Sequence, residues 1–63
     1  MVYIALGDTY SATGLNQLSI EAYEEALALS IANEDAPSTA ITQVSLADVY
    51  IRLGEFETAK TLL

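Results

Sequence analysis

Apolar side chains recur along the chain at helical spacing, and short polar or glycine-containing stretches interrupt them. In the first segment Tyr3, Leu6 and Tyr10 stand at positions i, i+3 and i+7, which is one stripe of an amphipathic helix. Gly14 follows, where a positive φ costs glycine little. The pattern predicts a first helix over about residues 2–13.

The second segment repeats this pattern over a longer run. Ile20, Tyr23, Leu27 and Ile31 form an apolar stripe, and Ser19, Ala22 and Ala26 form a neighbouring stripe of small side chains. Small side chains let two helices approach closely. We expect a helix over about 17–33, with Asn16 as its N-cap.

Residues 35–38 form the main break, because Pro37 cannot continue a helix and Ser38 is suited to cap the next one. A third helix is predicted over about 39–53, ended by Gly54, and a fourth over about 56–63. Forty residues after the first copy much of its pattern returns, in Leu46-Ala47, Tyr50, Gly54, Phe56 and Ala59. The chain is therefore interpreted as all-α, with one helical repeat over 1–34 and a second, incomplete one over 39–63.

The charge of the chain narrows the classes of partner. Nine acidic and two basic residues give a formal net charge of −7. A surface of this sign disfavours nucleic acid and anionic membranes and attracts basic peptides, although net charge also serves solubility alone. No apolar run is long enough to cross a bilayer, and the N-terminal residues lack the basic flank of a signal peptide, so a cytoplasmic location is expected.

The residue types present argue against an enzyme. The chain has no cysteine and no histidine, which removes most metal sites and the common nucleophilic arrangements. Glu21 and Glu25 share a helical face, but we interpret them as exposed side chains. The stretch 33–35 lacks the length and glycine of a calcium loop. We expect no catalytic residue, no metal and no cofactor.

The order of Tyr3, Leu6-Gly7, Tyr10, Gly14 and later positions resembles the tetratricopeptide repeat; those later positions are Ser19, Tyr23 and Ala26. In the second copy Leu46, Tyr50, Gly54, Phe56 and Ala59 match the family pattern. Ser19 stands where that pattern has Ala, Ala47 where it has Gly, and Gln43 where it has an aromatic residue. The period is 40 instead of about 34 residues, which is similar to the long-repeat branch of the family.

The resemblance implies antiparallel helix-turn-helix units that form a short right-handed α-solenoid and bind a protein or peptide in a groove. The residues that would line this groove are Ile4, Asp8, Ser11 and Ala12 from the first copy and Val44, Asp48, Ile51 and Arg52 from the second. Asp8 and Asp48 are equivalent and would suit a partner helix that carries Lys or Arg, unless both are simply solvated. The Lys, Arg and Asn residues that clamp a C-terminal carboxylate in some family members are missing, so this mode is not expected.

Two other functions remain open from the sequence. The chain ends on apolar residues, so we expect it to be part of a longer repeat array or to be completed by another copy. Self-association would use apolar side chains of the third and fourth helices, namely Val49, Leu53, Phe56, Leu62 and Leu63. The chain could also be a regulatory segment of a larger protein.

Overall fold

A computed structural model describes residues 2–62, and within this range it contains four helices and no strand. The helices are α1 (Val2–Ala12), α2 (Asn16–Ala32), α3 (Ala36–Arg52) and α4 (Phe56–Leu62). Each helix packs against the next one along the chain, and α1 also contacts α3. Three-residue turns join them, so neighbouring helices run antiparallel. The prediction of an all-α helical repeat is confirmed.

The 40-residue period is also present in the helix boundaries. α1 and α3 end at Ala12 and Arg52, and α2 and α4 begin at Asn16 and Phe56. The boundaries on either side of the turn within each helix pair are therefore forty residues apart, which is the period of the sequence pattern.

All three turns have the same backbone geometry. After α1 the Gly14 amide donates to the Ser11 carbonyl at 3.2 Å, and the Leu15 amide donates to the Tyr10 carbonyl at 2.9 Å. This pair of bonds is the Schellman motif, which requires a positive φ, and Gly14 supplies it at +79°. Gly54 does the same after α3 at +82°. Both glycines therefore end helices as predicted.

The start of α3 differs from the prediction. The helix begins at Ala36 instead of about residue 39, and Asp35 is its N-cap, with a carboxylate that accepts from the Ser38 amide at 3.2 Å. Ser38 is thus the donor to the cap and not the cap itself. Pro37 fits inside the first turn, where a missing amide hydrogen leaves no helical bond unmade.

The start of α2 also differs. Leu15 occupies the N-cap position, and Asn16 is the first helical residue and makes no side-chain capping bond. The predicted Asn16 cap is therefore wrong. The first three helices each end one residue before their predicted ends.

The hydrophobic core lies between α2 and α3. Ile20 and Tyr23 from α2 pack with Leu46 and Val49 from α3, and three partly buried side chains extend this cluster: Leu27, Tyr50 and Leu62. This burial holds the two repeats together, because one stripe of each central helix is removed from water.

The small side chains of α2 let α1 approach closely. Ser19 is fully buried, and its hydroxyl donates to the Gly7 carbonyl at 2.9 Å. A Cβ atom placed on Gly7 would lie 2.6 Å from the ring of Tyr23. The close approach of α1 and α2 therefore requires glycine at position 7 while Tyr23 lies opposite.

None of the helices within residues 2–62 combines the length and the hydropathy that a membrane-spanning segment requires.

Candidate functional site

A groove of about 460 Å³ opens between α1 and α3, with one residue of α2 in its wall. We call it the α1–α3 groove. It is lined by Asp8, Ser11 and Ala12 of α1, Tyr23 of α2, and Val44, Ser45, Asp48 and Arg52 of α3. Both repeats contribute to it, so the groove exists only when they are packed together.

Six of the eight residues predicted to face a partner line this groove: Asp8, Ser11, Ala12, Val44, Asp48 and Arg52. Ile4 and Ile51 do not line it; Ile4 is half-buried and Ile51 is exposed. Repeat equivalence accounts for only part of this set, since Asp8 matches Asp48 and Ala12 matches Arg52 at an offset of forty residues. Val44 and Ser11 line the groove, although their equivalents Ile4 and Ile51 do not.

Tyr23 and Ser45 also line the groove and were not among the residues predicted to bind a partner. Tyr23 lies on the apolar stripe of α2, which predicts a core residue, and its ring is indeed in the core. Its hydroxyl, however, reaches the groove and donates to Asp8 Oδ1. The close approach of Gly7 and Ser19 places α2 near enough for this bond, and the polar end of a buried tyrosine commonly needs such a partner.

The bond to Asp8 and the burial of the ring both change the ionisation of Tyr23. Burial is the larger cause and the Asp8 bond is the second, and together they raise the pKa of Tyr23 from 10.0 to about 12. A neutral hydroxyl donates to Asp8 throughout the physiological range. Asp8 thus has a hydrogen-bond partner that leaves its negative charge in place.

Asp48 has a different partner, although it is equivalent to Asp8 in the repeat. Its carboxylate forms an ion pair with Arg52 Nη2 at 2.9 Å, one turn further along α3. Arg52 also reaches across the groove to α1, where Nη1 donates to the Ser11 carbonyl at 3.4 Å and Nη2 donates to the Ser11 hydroxyl. Asp48 therefore has a cationic partner, whereas among residues 2–62 no basic side chain forms an ion pair with Asp8.

Four of the residues predicted for self-association lie within the described range, and only two of these four are exposed. Val49 is fully buried in the core, with 0% of its surface exposed, so its assignment to an exposed surface was wrong. Leu62 is partly buried and packs against the same core cluster. Leu53 and Phe56 are 43% and 64% exposed, and Leu63 lies outside the described residues.

Two further depressions lie away from the groove. One, at the turn between α2 and α3, is lined by residues between Ser30 and Gln43. The other lies on the flank of α1 and α2, where Tyr3, Leu6, Tyr10 and Leu18 are bordered by Glu21 and Glu25. Among residues 2–62, no three acidic side chains come close enough together to hold a metal ion.

Comparison with known families agrees with the geometry. The family model described as "Tetratricopeptide repeat" matches residues 1–63, which is the whole chain. Neither the curated proteins nor the solved structures gave a match. Two antiparallel helix pairs with a fixed period, a glycine at the close approach within the first pair and a family match over every residue lead to one conclusion: the chain belongs to the tetratricopeptide repeat family.

Proposed function

We propose that the chain is a protein-interaction module that binds a basic peptide or helix in the α1–α3 groove. Tetratricopeptide repeats generally mediate protein–protein interaction and are typically non-catalytic. The observation that carries the proposal is the carboxylate of Asp8, which has no ion-pair partner among residues 2–62 and stands in a groove built jointly by both repeats.

The composition of the groove supports this kind of partner. Val44 and Ala12 offer apolar surface, and Val44 is more than half exposed. A segment with apolar anchors and a cationic side chain would cover the apolar part and pair with Asp8. The net charge of −7 would bring such a segment to the surface quickly and would make the association rate depend on salt.

The test is a binding titration with a defined probe, a short peptide of alternating leucine and arginine with both ends capped and a fluorescent label. Asp8→Asn removes the charge but keeps an oxygen that can accept from Tyr23. We expect it to weaken binding about fivefold, which is about 1 kcal/mol. Fluorescence anisotropy measures the change.

The matched control is Glu57→Gln on α4, an exposed position outside the groove where the same charge is removed. Glu57→Gln should weaken binding much less than Asp8→Asn. Equal effects of the two substitutions would mean that only net charge matters, and the groove would then not be the site.

Self-association is a second candidate, because an apolar position that is buried in the second repeat is partly exposed to solvent in the first. Leu46 on α3 is 2% exposed beneath α2, whereas its equivalent Leu6 on α1 is 38% exposed. Leu53 and Phe56 add exposed apolar surface beyond α3. Another copy, or a neighbouring repeat of a longer chain, could cover these faces in the way that α2 covers Leu46.

Light scattering behind a sizing column, over about a hundredfold range of concentration, tests this second candidate. Self-association predicts a mass above 6.7 kDa that falls on dilution and a smaller mass for Phe56→Glu. A constant mass of one chain for both proteins would rule it out under these conditions.

A further inference from the structure

We propose that Arg52 occupies the place of a partner's arginine in the α1–α3 groove and that a partner arginine binds by displacing it. This inference rests on the proposed function and specifies its chemistry. Arg52 is then an internal competitor of the ligand and not a contact to it.

The geometry around Arg52 is that of a guanidinium site. The carboxylate of Asp48 lies 2.9 Å from Nη2, and the carbonyl and hydroxyl oxygens of Ser11 accept from the two terminal nitrogens. One carboxylate and two neutral oxygens, supplied by two different helices, match the planar fork of donors that distinguishes arginine from lysine. The groove therefore contains a set of acceptors suited to a guanidinium group, and Arg52 of the chain itself occupies it.

Arg52 can leave this place easily. Its side chain is 43% exposed, and the ion pair with Asp48 joins residues one turn apart on the surface of one helix. Such pairs are weak because water competes for both charges. An arginine on a partner anchored by apolar side chains would have the same three acceptors available once Arg52 swings into solvent.

The chain offers a matched control for the test, because Arg52 and Lys60 are its only basic residues. Lys60 lies exposed on α4 and does not line the groove. Arg52→Gln and Lys60→Gln thus change the net charge equally, one inside the groove and the other outside. The probe is the same capped leucine–arginine peptide.

Arg52→Gln should bind the probe about fivefold more tightly than the wild type, whereas Lys60→Gln should gain less than about twofold. The added affinity should depend on Asp48, so that Asp48→Asn weakens binding strongly in the Arg52→Gln background and only slightly in the wild type. A leucine–lysine peptide should gain less than the leucine–arginine peptide from the removal of Arg52.

A weaker or unchanged affinity of Arg52→Gln relative to Lys60→Gln would overturn the inference. If Asp8→Asn still weakens binding in that case, the proposed groove function stands and only the role of Arg52 is wrong. If Asp8→Asn has no effect either, the groove is not the site.

A measurement on the unaltered chain keeps the test independent of the stability of the variants. Arg52 is the only arginine, so its side-chain Nε–Hε signal in a nitrogen–proton spectrum needs no assignment by mutation. Adding the unlabelled peptide should move this signal toward the position of a free, solvated arginine. A signal that stays in place at saturation would contradict displacement.

Discussion

Tyr23 joins the hydrophobic core to the groove at the scale of a single residue. Its ring packs with Ile20, Leu46 and Val49, and its hydroxyl donates to Asp8. Packing of the core therefore determines where the Asp8 carboxylate stands, and changes around the ring should affect both stability and binding.

Gly7 is the first such change. Alanine normally stabilises a helix relative to glycine, but at position 7 its Cβ would lie 2.6 Å from the Tyr23 ring. We expect Gly7→Ala to lower the free energy of unfolding by about 1–3 kcal/mol, as overpacking commonly does. Urea denaturation followed by circular dichroism measures it.

The matched control is the equivalent position in the second repeat, where the sequence has Ala47, which is buried. Ala47→Gly should also destabilise the chain, by about 0.5–1 kcal/mol, because glycine weakens a helix interior. A stabilising Gly7→Ala would contradict the packing of α1 against Tyr23.

The raised pKa of Tyr23 predicts how stability depends on alkaline pH. The pKa in the folded chain is about 12, above the ordinary 10.0, so folding favours the protonated hydroxyl. This contribution is complete below pH 10 and is lost as the pH rises toward 12. The thermal midpoint of the wild type should fall across this window more steeply than that of Tyr23→Phe.

The pKa of Tyr50 is also raised, first by burial and then by the charges of Glu24 and Glu55. Tyr50 nevertheless leaves the comparison of wild type with Tyr23→Phe unaffected. It is present in both proteins and contributes equally to both slopes. Parallel slopes for wild type and Tyr23→Phe would show that the Tyr23 hydroxyl is not held as the structure has it.

At the scale of the helices and turns, the three Schellman motifs differ at the position with positive φ, which is glycine in two of them and glutamate in the third. Gly14 and Gly54 adopt positive φ without strain, but Glu34 holds the equivalent position after α2 at +53°. Residues with a Cβ atom pay about 1–2 kcal/mol in this conformation. Glu34→Gly should therefore stabilise the chain by about 1 kcal/mol, measurable as a higher urea midpoint.

The effect of charge must be separated from the effect of backbone conformation at residue 34, because a negative charge at the C-terminal end of a helix is itself destabilising. Glu34→Gln removes the charge and keeps the Cβ atom, so it should give only part of the gain. If Glu34→Gln stabilises as much as Glu34→Gly, backbone strain at residue 34 contributes nothing.

The helices could largely be predicted from the sequence, because apolar periodicity and the terminating glycines Gly14 and Gly54 are local signals within each segment. The N-cap residues could not be predicted in the same way. Asp35 and Ser38 are both good capping residues, and which one caps α3 depends on the path of the chain out of the α2 turn. That turn has no glycine, so the sequence offers no signal that Glu34 takes a positive φ.

Most of the residues that line the groove could be predicted, but not the bonds between them. The resemblance to tetratricopeptide repeats implied that Asp8 and Asp48 line one groove, and in the structure both do. It could not show that Tyr23 binds the first and Arg52 the second, since these bonds depend on side-chain directions across neighbouring helices. Val49 was misassigned because a stripe facing α2 and a stripe facing solvent look alike in sequence.

At the scale of the whole molecule, the groove lies where the two repeats meet, so binding and the packing of the repeats should be coupled. A ligand that contacts both α1 and α3 binds only the folded, packed chain and should raise its thermal midpoint. A partner that bound outside the groove would instead contact exposed apolar side chains such as Leu6 on α1 and Phe56 on α4. These two residues therefore distinguish the two binding surfaces.

The most direct test of the central claim is a nitrogen–proton NMR titration of the chain with the unlabelled leucine–arginine peptide. Binding in the α1–α3 groove predicts that the largest amide shifts occur at Asp8, Ser11, Val44 and Asp48, with little change on α4. The largest shifts at Leu6 or Phe56, or none at saturating peptide, would contradict the account.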